Sequence, residues 1–217
     1  MRKEISKIVS TLLWETKAIK VSPQKPFRLV SGNYSPVYID CRVLISHPLA
    51  RDMITSCAYW LYENEKLHAN YIAGGETAGI PYAAWLADRI KKPFIYVRKE
   101  PKGHGLTAQI EGDVKEGKSV LLYEDLITDG KSKINFIQAI RRAKCKINDC
   151  LVIFDREQGG VESLRQEGVR LLALSKLEDT LKFGKNSGYL SDLGHQEIMS
   201  YLKDPQKWHM RKGYKFK

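Results

Sequence analysis

Val120-Leu121-Leu122-Tyr123-Glu124-Asp125-Leu126-Ile127-Thr128-Asp129-Gly130-Lys131-Ser132 is the stretch that decides the fold. Residues 120–123 form a short continuous apolar run and read as a buried strand. Two adjacent carboxylates follow, then a turn of small and hydroxylated residues, then a helix over 131–143. Ligands of open α/β sheets bind beyond the carboxyl ends of the strands. A helix N-terminus there offers free N–H groups and a partial positive charge, which suits a phosphate. Thr128 and Ser132 add hydroxyl donors, and Gly130 lets the backbone come close. Two acids beside a phosphate make sense if they hold sugar hydroxyls and share a ligand that arrives with magnesium. The segment has neither the GxxxxGK[ST] pattern nor the Rossmann glycine fingerprint.

Outward from this segment, the same alternation repeats. Residues 71–73, 94–97, 151–154 and 169–174 read as short apolar strands, and 79–91 and 160–167 as helices between them. Strands of this kind alternating with helices imply an α/β core, a parallel sheet flanked by helices on both faces. Upstream, Ile5, Ile8, Val9, Leu12 and Leu13 recur at helical spacing, so 3–20 reads as an amphipathic helix. Residues 27–45 read as short strands broken by Ser31-Gly32 and Ser35-Pro36. Ser46-His47-Pro48 opens a second helix running to about Leu67, with Ser46 as a candidate N-cap. Residues 99–117 are polar and glycine-rich, and a loop longer than about 12 to 15 residues inside a domain is usually a lid or a binding loop. The division expected is a small N-terminal hood subdomain over 1–45, the α/β core over 46–180, and a C-terminal helix with a basic tail over 181–217.

The bulk properties exclude some classes. At 217 residues with 43% hydrophobic and 28% charged positions, the composition is that of a soluble globular protein. No apolar run approaches the roughly 18 to 20 residues of a membrane span, and Met1-Arg2-Lys3-Glu4 leads into a charged periodic segment, not a secretory core. A cytoplasmic address follows as the expectation. Cys41, Cys57, Cys145 and Cys150 form no CxxC pair and read as reduced thiols. The net charge of +11 fits nucleic acid, an anionic surface or a polyanionic small substrate. It concentrates in 98–104 (Arg-Lys-Glu-Pro-Lys-Gly-His) and in the tail 207–217. A solvated or subunit-packing end is preferred over a nucleic-acid arm for that tail.

The 120–132 segment resembles the phosphoribosyl pyrophosphate motif of the type I phosphoribosyltransferases. That resemblance implies a type I phosphoribosyltransferase-like core in which Glu124 and Asp125 contact the ribose 2′ and 3′ hydroxyls. Thr128, Asp129, Gly130, Lys131 and Ser132 would then cradle the 5′-phosphate, and Leu126 and Ile127 would join the donor site. Lys131 is unusual in its slot, though a cation beside a phosphate is electrostatically sensible.

Three further segments resemble the orotate branch of that superfamily. Phe27 to Asp40, with Ser31-Gly32-Asn33-Tyr34-Ser35-Pro36, resembles the hood over the base, with Tyr38 and Ile39 facing orotate. Arg98 to Gly112 resembles the mobile catalytic loop. Asp155-Arg156-Glu157-Gln158-Gly159-Gly160 brings Arg156, whose guanidinium can fork onto a planar anionic base. Thr128 would join Arg156, Tyr38 and Ile39 around orotate. Gly74-Gly75-Glu76-Thr77-Ala78-Gly79 stands where the family has its pyrophosphate loop, so Glu76 and Thr77 join the donor site. Some members carry lysine at the places held here by Val30 and by Thr77-Ala78, and Lys25, Arg28 or Lys131 are candidate replacements.

The resemblance implies transfer of the phosphoribosyl group to orotate, with pyrophosphate released, in pyrimidine biosynthesis. Departure leaves an oxocarbenium-like ribose and builds charge on pyrophosphate. Preorganised donors in a dry site stabilise that charge, each by on the order of 3 kcal/mol. Lys99, Lys102 and His104 are the candidate catalytic residues, with Lys102 as general acid or charge stabiliser. Arg98, Lys99, Lys102 and His104 would all reach the donor. Magnesium (Mg2+) is expected to be held mainly through substrate and water, with no direct protein ligands. The resemblance also implies a homodimer in which the loop, Arg98 included, reaches the neighbouring site. Any decarboxylase partner of a bifunctional pathway would be a separate chain. Two rival readings are a phosphoribosyltransferase for another base and a nucleic-acid-binding regulator that keeps the fold.

Overall fold

The computed structural model describes residues 1–29, 31–101 and 109–217. Helix α1 (Arg2–Glu15) buries Ile5, Val9, Leu13 and Trp14 along one stripe. The helix expected over 3–20 ends earlier: Lys17 adopts a left-handed φ of 58°, and β1 (Ile19–Val21) follows. A short hairpin of β2 (Phe27–Arg28) and β3 (Tyr34–Ser35) comes next, then β4 (Val37–Ile39), which pairs antiparallel with β1. Pairing sets the buried Ile19 opposite the buried Ile39, and this tertiary ladder overrides the local helical pattern.

A 3₁₀ turn, Cys41–Ser46, precedes α2 (Pro48–Asn64). Ser46 therefore ends that turn and does not cap the helix. His47 occupies the cap without a side-chain bond, and Pro48 fills the first turn, where its missing N–H costs nothing.

The core sheet contains β5 (Tyr71–Gly75), β6 (Phe94–Val97), β7 (Ile110–Glu111), β8 (Ser119–Ile127), β9 (Lys146–Asp155) and β10 (Arg170–Lys176). Its order is β10-β9-β8-β5-β6-β7, parallel throughout except for β7, which runs antiparallel to β6 at the edge. The 99–117 segment is thus not wholly a loop, since its second half returns to the sheet. Helices α3 (Gly79–Ile90), α4 (Lys131–Arg142) and α5 (Gly160–Gln166) make the crossovers, and α6 (Leu177–Asn186), α7 (Asp192–Lys203) and α8 (Pro205–Arg211) end the chain. Three helices stand where one helix and a tail were expected.

Both faces of the sheet are covered. Along β8, Leu121 and Tyr123 pack with α1, α2 and α3, while Val120 and Leu122 pack with Phe136, Ile137 and Ile140 of α4. The period-2 alternation of a strand thus feeds two separate apolar layers. Strand order reverses between β5 and β8, so the loops after these strands diverge and leave a crevice between them.

Candidate active site

β8 extends four residues beyond its expected end, so Glu124, Asp125, Leu126 and Ile127 lie on the strand and not in the turn. Only Thr128, Asp129 and Gly130 make the turn into α4. Gly130 takes φ 88°, a left-handed conformation that favours glycine. Asp129 Oδ1 accepts from the Lys131 amide at 3.1 Å, and Lys131 Nζ lies 3.2 Å from Asp129 Oδ2. The exposed Lys131 ammonium is thus already paired with a carboxylate.

Glu124 is almost fully buried, and its surroundings explain two glycines. Its Oε1 accepts from the Gly75 amide at 2.7 Å, and its Oε2 pairs with Lys133 Nζ at 2.9 Å. A Cβ on Gly79 would stand 1.8 Å from Oε1, and one on Gly75 would stand 2.6 Å from it. The 74–79 loop can approach β8 only because both positions lack side chains. Lys133 is buried among α4's apolar positions, one turn before Phe136 and Ile137. Burial pushes the Glu124 carboxyl up against the opposing pull of Lys133, and burial also pushes Asp125 up. The two carboxylates in turn hold Lys133 above its ordinary value despite its burial. Two acids share one cation here, leaving an excess of negative charge facing the crevice.

A cavity of about 260 Å³ occupies this crevice. Its walls include Ile39, Glu76, Thr77, Lys99, Asp125 and Ser132. Arg42 stands at its edge, forked onto Asp40 at 2.6 and 2.9 Å. Neither Lys25 nor Arg28 lines it; among the described residues the basic ones that do are Arg42, Lys99 and Lys133. A second cavity of about 710 Å³ lies among Arg156, Leu177, Leu181, His195 and Met199. Of these two cavities, the smaller joins the paired carboxylates to the N-terminus of α4, which makes it the candidate site.

Arg156 is fixed beside Thr128 by its own amide, which donates to the Ile127 carbonyl at 3.0 Å. Its Nε is buried and has no hydrogen-bond partner among the described residues. Burial lowers the guanidinium's pKa, while Tyr201, Cys41 and Tyr38 pull the other way. The side chain therefore has a donor to spare. Tyr38 packs on Phe27 at 5.8 Å, and Ile39 reaches the cavity wall.

The root of the 99–117 segment is tied down by Glu76, which the sequence assigns to the donor site, and by Asn135 and Gln109, which the sequence reading missed. Glu76 Oε2 accepts from the Lys99 amide at 2.9 Å, and Asn135 Nδ2 donates to the Lys99 carbonyl at 2.9 Å. The buried Gln109 donates to the Arg98 carbonyl at 2.9 Å and accepts from Arg142 at 2.6 Å. The Arg98 guanidinium turns to Glu111 at 3.5 Å. Lys102 and His104 lie outside the described residues, as does Val30. Among the described residues no group of three or more His, Cys, Asp or Glu converges as a metal site. The four cysteines are free and buried, with burial raising each thiol, so none offers a thiolate nucleophile.

Residues 44–167 match the family described as "Phosphoribosyl transferase domain". An orotate phosphoribosyltransferase of Rhizobium etli is 40% identical over 214 residues, spanning 98% of this chain and 93% of its own. One from Cereibacter sphaeroides is 42% identical over 211 residues, spanning 95% of this chain and 91% of its own. Among solved structures, the orotate phosphoribosyltransferase of Aeropyrum pernix superposes with a TM-score of 0.73 at 31% identity, covering 84% of this chain and 99% of that one. A UMP synthase of Leishmania donovani superposes with a TM-score of 0.78 at 25% identity; the match covers 91% of this chain and 42% of that longer one.

Proposed function

The chain belongs to the phosphoribosyl transferase family, in its orotate phosphoribosyltransferase branch, and we propose that it joins orotate to the phosphoribosyl group of phosphoribosyl pyrophosphate, forming orotidine 5′-phosphate and pyrophosphate. The observation that carries this reading is the meeting of Glu124 and Asp125 with the N-terminus of α4, across the sheet's switch point from the 74–79 loop.

Each part has a physical task. The N–H groups opening α4 and the Thr128 and Ser132 hydroxyls bind the 5′-phosphate. Glu124 and Asp125 accept hydrogen bonds from the ribose hydroxyls, and Lys133 keeps both carboxylates ionised for that role. Backbone amides of 74–79 face the leaving pyrophosphate, with Glu76 and Thr77 on its rim. Lys99, Lys102, His104 and Arg98 close over the leaving group as its charge grows, with the root of their segment held by Gln109 and Asn135. Arg156 offers its free donor to the orotate carboxylate, with Thr128, Tyr38 and Ile39 around the ring.

The site fits magnesium. Substrate oxygens and water would be its main ligands, with the Asp125 carboxylate lining the crevice as a hard acceptor that can orient those waters. When bound, magnesium neutralises charge on the pyrophosphate. In this reading the enzyme is a cytoplasmic homodimer whose product is the substrate of a decarboxylase. No helix among the described residues is long and apolar enough to cross a membrane.

Pyrophosphate release from a panel of orotate, uracil and hypoxanthine tests the base assignment. Release with orotate alone supports it. Release with uracil or hypoxanthine instead would assign the chain to another base.

A further inference from the structure

The basic C-terminal segment is a sequence feature that the reaction does not use, and although its outer face is exposed, it is anchored to the fold by buried residues. Helix α8 buries Trp208 and His209 completely. Glu197 of α7 locks this helix by accepting from Trp208 Nε1 at 2.9 Å, Arg211 at 3.1 Å and Lys212 at 3.2 Å. Beyond α8 the chain returns across the hood hairpin. Tyr214 stacks on Tyr34 at 4.2 Å, Phe216 packs edge-on against His209 at 5.0 Å, and Lys212 Nζ donates to the Pro23 carbonyl at 3.2 Å. Asn33 Oδ1 accepts from the Lys217 amide at 2.8 Å.

His209 makes the decisive link. Its Nε2 accepts from the Tyr34 amide at 2.9 Å, while its Nδ1 lies 2.6 Å from the Pro205 carbonyl oxygen. An acceptor at Nε2 and a donor at Nδ1 define one neutral tautomer. From Tyr34 the restraint passes along the backbone to Ser35, whose buried hydroxyl donates to the Val37 carbonyl at 2.7 Å and spans Pro36. The next residues are Tyr38 and Ile39, the hood wall assigned to the base. The same C-terminal unit reaches the opposite wall as well: Tyr201 of α7 packs edge-on against Trp208 at 5.3 Å, and His195, Met199 and Leu202 of α7 line the larger cavity together with Arg156.

We propose that residues 192–217 are a built part of the base site, and that His209 is a positioning residue that sets the hood for orotate and not for the phosphoribosyl donor. This rests on the orotate reading above. It makes the tail a structural brace, with Arg211 and Lys212 turned to Glu197 and Lys212 also to the Pro23 carbonyl.

The test is the Michaelis constant of each substrate, measured with the other saturating, in His209→Ala, His209→Gln and Tyr214→Ala. His209→Ala raises the value for orotate about tenfold, as expected for one buried hydrogen bond, and that for the donor less than about twofold. His209→Gln restores an acceptor near the Nε2 position and recovers most of the loss. Tyr214→Ala shifts orotate in the same direction and carries the test if His209→Ala does not fold. Equal shifts in both constants, no shift in orotate, or a glutamine variant no better than alanine overturns the positioning role. Wild-type turnover is the control: an inactive wild type overturns the orotate reading and this role with it, whereas an active wild type with unaffected variants overturns the role alone.

Discussion

Replacing Lys133 with methionine keeps the side chain's length and apolar stem and deletes its charge. The ammonium is only 8% exposed and sits 2.9 Å from Glu124 Oε2, whose side chain is 4% exposed. Removing one partner of such a pair leaves a buried carboxylate uncompensated, which costs about 3 to 5 kcal/mol. Asp125 loses the same favourable field, so the cost falls at the upper end. The pH dependence has a definite sign. Without Lys133 both carboxyls titrate further above their unfolded values, so the folded state binds more protons than the unfolded one. The stability this lends is fully present below the ordinary carboxylate range and is lost as pH rises. The deficit of Lys133→Met should therefore be small near about pH 4.5 and largest near about pH 8. Urea unfolding of the ligand-free protein at several pH values reads it directly. Lys133→Met combined with Glu124→Gln should recover most of the loss at neutral pH. A deficit below about 1 kcal/mol at pH 8, or one independent of pH, would refute the buried-pair account.

Three other outcomes follow from the same geometry. Asp125→Asn should stabilise the ligand-free fold by about 1 kcal/mol at neutral pH, because burial raises the native carboxyl; the gain should vanish toward about pH 4 in unfolding experiments, while turnover collapses. Gly79→Ala would drive its Cβ into Glu124 Oε1, so it should cost about 2 to 3 kcal/mol in denaturant unfolding and abolish donor binding by calorimetry. Arg156→Lys keeps the charge but loses the planar fork, so steady-state kinetics should show the Michaelis constant for orotate rising about tenfold or more while that for the donor holds.

Much of this site is legible in the sequence, for a physical reason. A buried parallel strand must be apolar, and a phosphate turn must be small and hydroxylated, so residues 120–132 announce both at once. The alternation of strands and helices on either side predicts a parallel sheet, while the reversal of strand order beside β8 is visible only in the fold. Lys133 was not legible, because a lysine in a helix is normally solvated. The available signal was its spacing, one turn before Phe136 and Ile137 on the face that packs against the sheet. The strand at Ile19–Val21 was hidden because its partner lies at Val37–Ile39, beyond any local window. Ser46 looked like a cap only while the 3₁₀ turn before it was unseen. The tail concealed its packing in the same way: Trp208, Tyr214 and Phe216 are interleaved with lysines, and only the fold shows that Tyr214 stacks on Tyr34 of the hood while Trp208 and Phe216 pack on Tyr201 and His209.

The central claim is tested most directly by incubating the full chain with magnesium, phosphoribosyl pyrophosphate and orotate, and following the ultraviolet absorbance of orotate. A loss of absorbance that requires phosphoribosyl pyrophosphate and reverses on adding pyrophosphate is the result expected from this site. Unchanged absorbance, with the protein folded and both substrates saturating, would contradict it.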